Sequence, residues 1–249
     1  MNNIIIPFII SLIAGLSTVV GAILTYFKPK DINMFIGSSL SFSATIMVLI
    51  SILELIPNGF FYLKDKYNLI YAFLVLILMI LIGLGINILI NKKIKKRVGE
   101  SSNLYRVGVL SMIALMIHNL PEGILTFLSS SVNLKLGLKL GLAIMLHNIP
   151  EGIAIAVPIY YSTYSHKKGV VGALISGLSE PFGALLAFLL LYRFISNTLI
   201  SFILLFVAGI MISISINDIF EEAKKYSKKT LITGVVLGVI VIILTEYIL

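Results

Sequence analysis

Two stretches decide how this chain folds: LMIHNLPEGI, Leu115 to Ile124, and IMLHNIPEGI, Ile144 to Ile153. Each sets one polar pattern, His-Asn-x-Pro-Glu-Gly, inside an apolar run, at His118–Gly123 and again at His147–Gly152. Each run is long enough to cross a bilayer core, which takes about 20 helical residues. The rest of the chain is of the same kind. Of its 249 residues, 59% are hydrophobic and 12% charged, with a mean hydropathy of +1.08. Soluble domains carry roughly 25% charged residues. That balance excludes a water-soluble protein, and it makes nucleic acid a poor explanation of the net charge of +8.

Working outward, eight spans are expected, near residues 4–27, 34–57, 68–91, 105–128, 135–160, 168–192, 198–218 and 230–249. They are expected to form one integral membrane domain covering the whole chain. Lipid offers backbone groups no partner and no β-alternation is seen, so the fold class is an all-α membrane protein. The connections carry the breaker signals KPKD, PNG, SSSVN and SN. The start, MNNIIIPFII, lacks the basic region of a cleavable signal and is expected to run straight into a span. Residues 92–104 read as a plain basic loop.

Basic residues collect on alternate connections. One set holds Lys28, Lys30, Lys92, Lys93, Lys95, Lys96, Arg97, Arg106, Lys167, Lys168, Lys224, Lys225, Lys228 and Lys229. The other holds only Lys64, Lys66, Lys135, Lys139 and Arg193. The first set should be cytoplasmic, which puts both termini outside a cell membrane. Under this topology the two motif-bearing spans run in opposite directions. So do spans two and seven, where ATIMVLISILEL (44–55) resembles AGIMISISINDI (208–219). Inverted repeats around a central site are a transporter pattern. The expectation is an inverted-repeat bundle with spans four and five at its centre.

His118 and His147 fall near the middle of their spans. A lone buried His beside a proline kink is more often structural, but two copies of a six-residue polar pattern at matching depth point to a site. An ionisable group at a helix centre costs about 2.5–3.5 kcal/mol, so Glu122, Glu151 and Glu180 together face roughly 8–10 kcal/mol. A dication between them would offset much of this. With about 100° per residue, Glu122 lies roughly 40° from His118 and between it and Asn119. Glu151 sits the same way between His147 and Asn148. If the helices face each other, the two Glu converge at the centre, the His on one side and the Asn on the other. This describes two adjacent ions bridged by Glu122 and Glu151, one with the His and one with the Asn. Pro121 and Pro150 free the carbonyls of Ile117 and Leu146. Gly123 and Gly152 permit close helix approach. In SGLSEPFGA, Ser176 to Ala184, Glu180 is a further carboxylate for the Asn-bearing ion.

Imidazole with carboxylate suits Zn²⁺, Fe²⁺, Mn²⁺ and Co²⁺, and two His argue against Ca²⁺ or Mg²⁺. The chain has no Cys, so thiolate ligands and disulfides are excluded. Affinity needs deprotonated ligands and should weaken on acidification. Glu54 and Asp218 stay open as way-stations for ions or as interface residues. His166, in a basic loop, reads as solvated. The Gly234/Gly238 pair favours packing within the bundle over a dimer seam, with a homodimer left open.

HNLPEG, HNIPEG and SGLSEP resemble the ZIP family of divalent metal transporters, in its bacterial ZupT-like branch, over essentially the whole chain. The resemblance implies eight spans with both termini outside, and spans one to three and six to eight as inverted repeats. It also implies a two-metal centre: His118, Glu122, His147 and Glu151 for one ion, and Asn119, Glu122, Asn148, Glu151 and Glu180 for the other. Two departures stand out. The His-rich loop common between spans three and four is missing. Glu221 also stands where relatives carry a proline, which puts the kink there in doubt. The expected function is uptake of zinc, with iron, manganese, cobalt and cadmium as further substrates and no catalytic cofactor. The other readings are a channel or sensor without alternating access, and an intramembrane metalloenzyme. The last is disfavoured because no His-Glu-x-x-His occurs.

Overall fold

The computed structural model describes residues 4–27, 29–98, 104–191 and 196–248, and every element among them is helical. Lys28, residues 99–103 and Arg193 lie outside the described residues. Helix α1 covers Ile5–Ala22 and tightens into a 3₁₀ turn, Ile23–Tyr26. Helix α2 (Ile32–Ile50) widens into a π turn at Ser51–Leu55 and continues as α3 (Ile56–Lys64). Helix α4 is Leu69–Val98, α5 Leu104–Val132 and α6 Leu134–Thr163. Helices α7 (His166–Gly177) and α8 (Ser179–Leu186) follow, and a π segment, Ala187–Leu191, prolongs α8. Helix α9 (Asn197–Ile214) passes through a π turn, Ser215–Ile219, into α10 (Phe220–Ala223), and α11 is Lys228–Ile248.

Among the described residues, seven helical segments are long and apolar enough to cross a membrane. Several of them begin where a short polar side chain can take an orphan backbone N–H. Asp31 accepts from Met34 N at 2.9 Å, Asn133 from Leu136 N at 3.2 Å and Ser196 from Leu199 N at 3.2 Å. Asn133 alone separates α5 from α6, so the two motif helices are forced antiparallel side by side.

Two expectations need correcting. The PNG signal, Pro57 to Gly59, is no connection, because it lies inside α3. Proline lacks an N–H and cannot serve the carbonyl four residues back. The π turn just ahead of it shifts the register, with Ile56 N bonding Ser51 O, and the helix passes through. The basic stretch after residue 91 is likewise not a plain loop as far as Val98, since α4 carries on through it.

Close backbone approach at glycines sets the packing. Helix α1 lies on α6, α5 on α8, α2 on α11 and α4 on α9. A Cβ at Gly152 would overlap the Thr18 carbonyl, and one at Gly21 the Ile149 carbonyl. A Cβ at Gly123 would overlap the Glu180 carbonyl, and one at Gly183 the Leu120 carbonyl. Gly83 and Gly209 join α4 to α9 in the same manner. Gly234 and Gly238 seat against Ser38, Ser41, Phe42 and Thr45 of α2, so that pair packs within the bundle. Buried hydroxyls add polar cross-links. Ser17 Oγ donates to Met145 O at 2.8 Å, and Ser43 Oγ donates to Pro150 O.

Candidate metal centre

The proline-containing middles of α5 and α6 face each other at the core of the bundle. His118, Asn119, His147, Asn148, Glu151 and Glu180 are fully buried and Glu122 almost so. His118 Nε2 lies 3.2 Å from Glu122 Oε1 and 3.2 Å from Glu151 Oε1. His147 Nε2 is 3.0 Å from Glu122 Oε1. Taking one ligand atom from each of His118, Glu122, His147 and Glu151, all four lie within 4.8 Å of one another. Both carboxylates therefore stand against the imidazoles, Glu122 against both and Glu151 against His118.

The amides stand on the other side. Asn148 Nδ2 donates to Ala14 O at 2.9 Å and to Glu180 Oε1. The Asn119 amide can be turned two ways. With nitrogen toward α6 it donates to Leu115 O at 2.8 Å and to Glu151 Oε2 at 3.0 Å. The opposite orientation gives one contact at 3.5 Å, to Ser176 O. Two good bonds outweigh one at the limit, so the Asn119 oxygen faces Ser176. Glu180 enters from the first turn of α8 and reaches the centre through Asn148. Several buried oxygens here, Glu122 Oε2, Asn148 Oδ1 and Glu180 Oε2, have no protein hydrogen-bond partner. Carboxylate and amide oxygens left in that condition fit a divalent cation, which needs several oxygen or nitrogen ligands at once.

A family model described as ZIP Zinc transporter matches residues 91–246. A zinc transporter ZupT from Clostridium perfringens is 33% identical, over 97% of this chain and 95% of its own. One from Campylobacter jejuni is 35% identical over 91% and 90%. One from Streptococcus mutans is 37% identical over 94% of each. The chain belongs to the ZIP family.

Three features of this ZIP-family chain were missed or misread from the sequence. First, GLSTVVGA (15–22) in α1 and GLSEPFGA (177–184) across α7 and α8 are a repeat, built from small residues rather than ionisable ones. Gly15 and Gly177, the first residue of each copy, press against each other. Second, His166 is not simply solvated. Its ring stacks between Tyr26 (4.0 Å) and Tyr160 (4.2 Å), and Nδ1 is 3.1 Å from Thr25 Oγ1. Tyr164, in the left-handed region at φ 50°, makes the turn that brings Tyr160 and His166 together. Third, the helix break expected of a proline at position 221 occurs without one. The π turn at Ser215–Ile219 holds Asp218 as the one at Ser51–Leu55 holds Glu54. Both turns begin with a serine bonded one turn back, Ser51 to Met47 O and Ser215 to Met211 O, each at 2.8 Å.

Proposed function

We propose that this protein carries divalent transition-metal ions, zinc foremost, across a cell membrane into the cytoplasm. The observation that carries the reading is the buried quartet His118, Glu122, His147 and Glu151, with ligand atoms within 4.8 Å at the middle of two antiparallel apolar helices. Ionisable groups at that depth are costly unless a function retains them. Imidazole and carboxylate together select ions of the zinc, iron, manganese, cobalt and cadmium group. The names of the relatives, all zinc transporters, support zinc as the main substrate.

The finer reading has two ions. His118 and His147 hold the first, Asn119, Asn148 and Glu180 the second, and Glu122 and Glu151 bridge them. The contact of Asn148 with Glu180 supports this division. We take α11 as an eighth span, with both termini outside. The halves α1–α4 and α7–α11 then form inverted repeats around α5 and α6. Three matching features support the repeat: α1 lies on α6 as α8 lies on α5, α2 pairs with α11 as α9 pairs with α4, and the two π turns correspond. Alternating access moves one group of helices against the other.

The test is zinc uptake by proteoliposomes. Glu122→Ala and His147→Ala are expected to abolish it, and undiminished uptake by both variants would falsify the reading.

A further inference from the structure

The repeat GLSTVVGA/GLSEPFGA pairs Thr18 with Glu180 at one position of the two copies. The packing repeats that pairing. The Thr18 carbonyl meets Gly152 of the second motif as the Glu180 carbonyl meets Gly123 of the first. Ala14 and Ser176 correspond in the same way: Asn148 reaches Ala14 O, and Asn119 lies 3.5 Å from Ser176 O. In one half of the centre, an acid stands beside the amide. In the other half, the position belongs to a threonine.

The Thr18 hydroxyl is fully buried and has no hydrogen-bond partner. A hydroxyl inside a helix ordinarily bonds the carbonyl four residues back, as Thr45 does to Ser41 O at 2.7 Å and Thr126 to Glu122 O at 2.9 Å. That option is closed to Thr18. Its carbonyl four back, Ala14 O, already accepts from Asn148 Nδ2 at 2.9 Å and has Ser17 Oγ 2.6 Å away. The hydroxyl instead lies against Gly177, 3.2 Å from where a Cβ on that glycine would sit. Ser176 Oγ also has no partner. Two buried hydroxyls, Thr18 on α1 and Ser176 on α7, are therefore left without partners where α1 meets α7.

We infer that Thr18 is a specificity-determining ligand of the amide-side ion, the neutral counterpart of Glu180. The inference rests on the transport reading above and adds a residue to it. A threonine here holds the centre at three carboxylates, Glu122, Glu151 and Glu180, against four if the repeat were symmetric. Two dications facing three carboxylates keep a net positive charge, and a neutral hydroxyl at Thr18 leaves the amide-side ion less tightly held than a fourth carboxylate would. Neutral oxygen donors also favour harder ions such as Mn²⁺ on that side.

The chain contains no cysteine, which permits a direct test. Co²⁺ added to purified full-length Thr18→Cys protein should produce a thiolate-to-cobalt charge-transfer band that the wild type lacks. Absence of that band in a Thr18→Cys protein that still binds Co²⁺ overturns the inference. In parallel, Mn²⁺ and Zn²⁺ titrations of Thr18→Val should show one binding step reduced by about tenfold or more, at least what loss of a metal-supporting contact costs, with the other step unchanged. Thr18→Ser should restore it. A Thr18→Val protein that binds both ions like the wild type, with Thr18→Ser also unchanged, overturns it too. Wild-type protein that neither binds nor takes up metal would overturn the transport reading itself, and this inference with it.

Discussion

The two copies of the motif are nearly identical in sequence, but they do not sit in identical surroundings. Around α5 the partner is α8, which brings Glu180 to the centre. Around α6 the partner is α1, which brings Thr18. Glu122 contacts both imidazoles, whereas Glu151 is seen against His118 and the Asn119 amide. The backbone seals, by contrast, match closely, Gly21 with Gly152 on one side and Gly183 with Gly123 on the other. The lesson is that the fold repeats its scaffold and varies its charge. Between the two copies of the repeat, the difference in charge is Thr18 in one and Glu180 in the other.

This comparison can be broken in order of expected effect. Glu122→Gln should cost more than Glu151→Gln, because it removes the carboxylate shared by both His. A loss in zinc affinity on the order of a hundredfold is expected for Glu122→Gln, measured by equilibrium binding. Equal losses for the two variants would mean the carboxylates are interchangeable. Glu180→Gln should weaken the second ion by roughly tenfold or more and leave the first in place. Metal-to-protein stoichiometry falling equally at both steps would break the division into two ions. Gly123→Ala and Gly152→Ala should destabilise the protein alike, by about 1–3 kcal/mol or more, since each forces a methyl into a backbone carbonyl. Thermal melting in detergent measures this. Gly85→Ala is the control, because nothing lies within 4 Å of the added carbon. The smallest effect is expected for Ser43→Ala. It removes one interhelical hydrogen bond to Pro150 O, and such bonds contribute about 0.6 kcal/mol in membrane proteins.

Much of the centre was legible in the sequence because a helix has one period. Three and four residues from His118 to Pro121 and Glu122 fix their angles, and the one-residue link at Asn133 leaves α5 and α6 no choice but to face each other. The contacts of Glu122 and Glu151 with the imidazoles follow from that. Other features were not legible because they depend on register or on distant chain. Pro57 looks like a stop until the π turn before it absorbs the missing donor. His166 looks solvated until Tyr26, far away in sequence, stacks on it. The small-residue repeat was legible, but only one of its copies holds an ionisable residue, Glu180, so pairing ionisable residues does not reveal it. Whether Asn119 turns its oxygen or its nitrogen to α6 is a matter of partners, and those come only with three dimensions.

The glycine seals have a mechanical consequence. Where two backbones touch with no side chain between them, neither helix can slide past the other without driving a bulky neighbour into a carbonyl. The pairs α1 with α6, α5 with α8, α2 with α11 and α4 with α9 therefore behave as welds. The seams of α2 with α6 and α5 with α9 carry no such glycine pair among the described residues. Side chains alone fill them, and side chains can change rotamer while a surface shears. A displacement that turns the centre from one side of the bilayer to the other would find its easier course along such seams. The inner helices would travel as one piece, and the outer pairs would stand as the track.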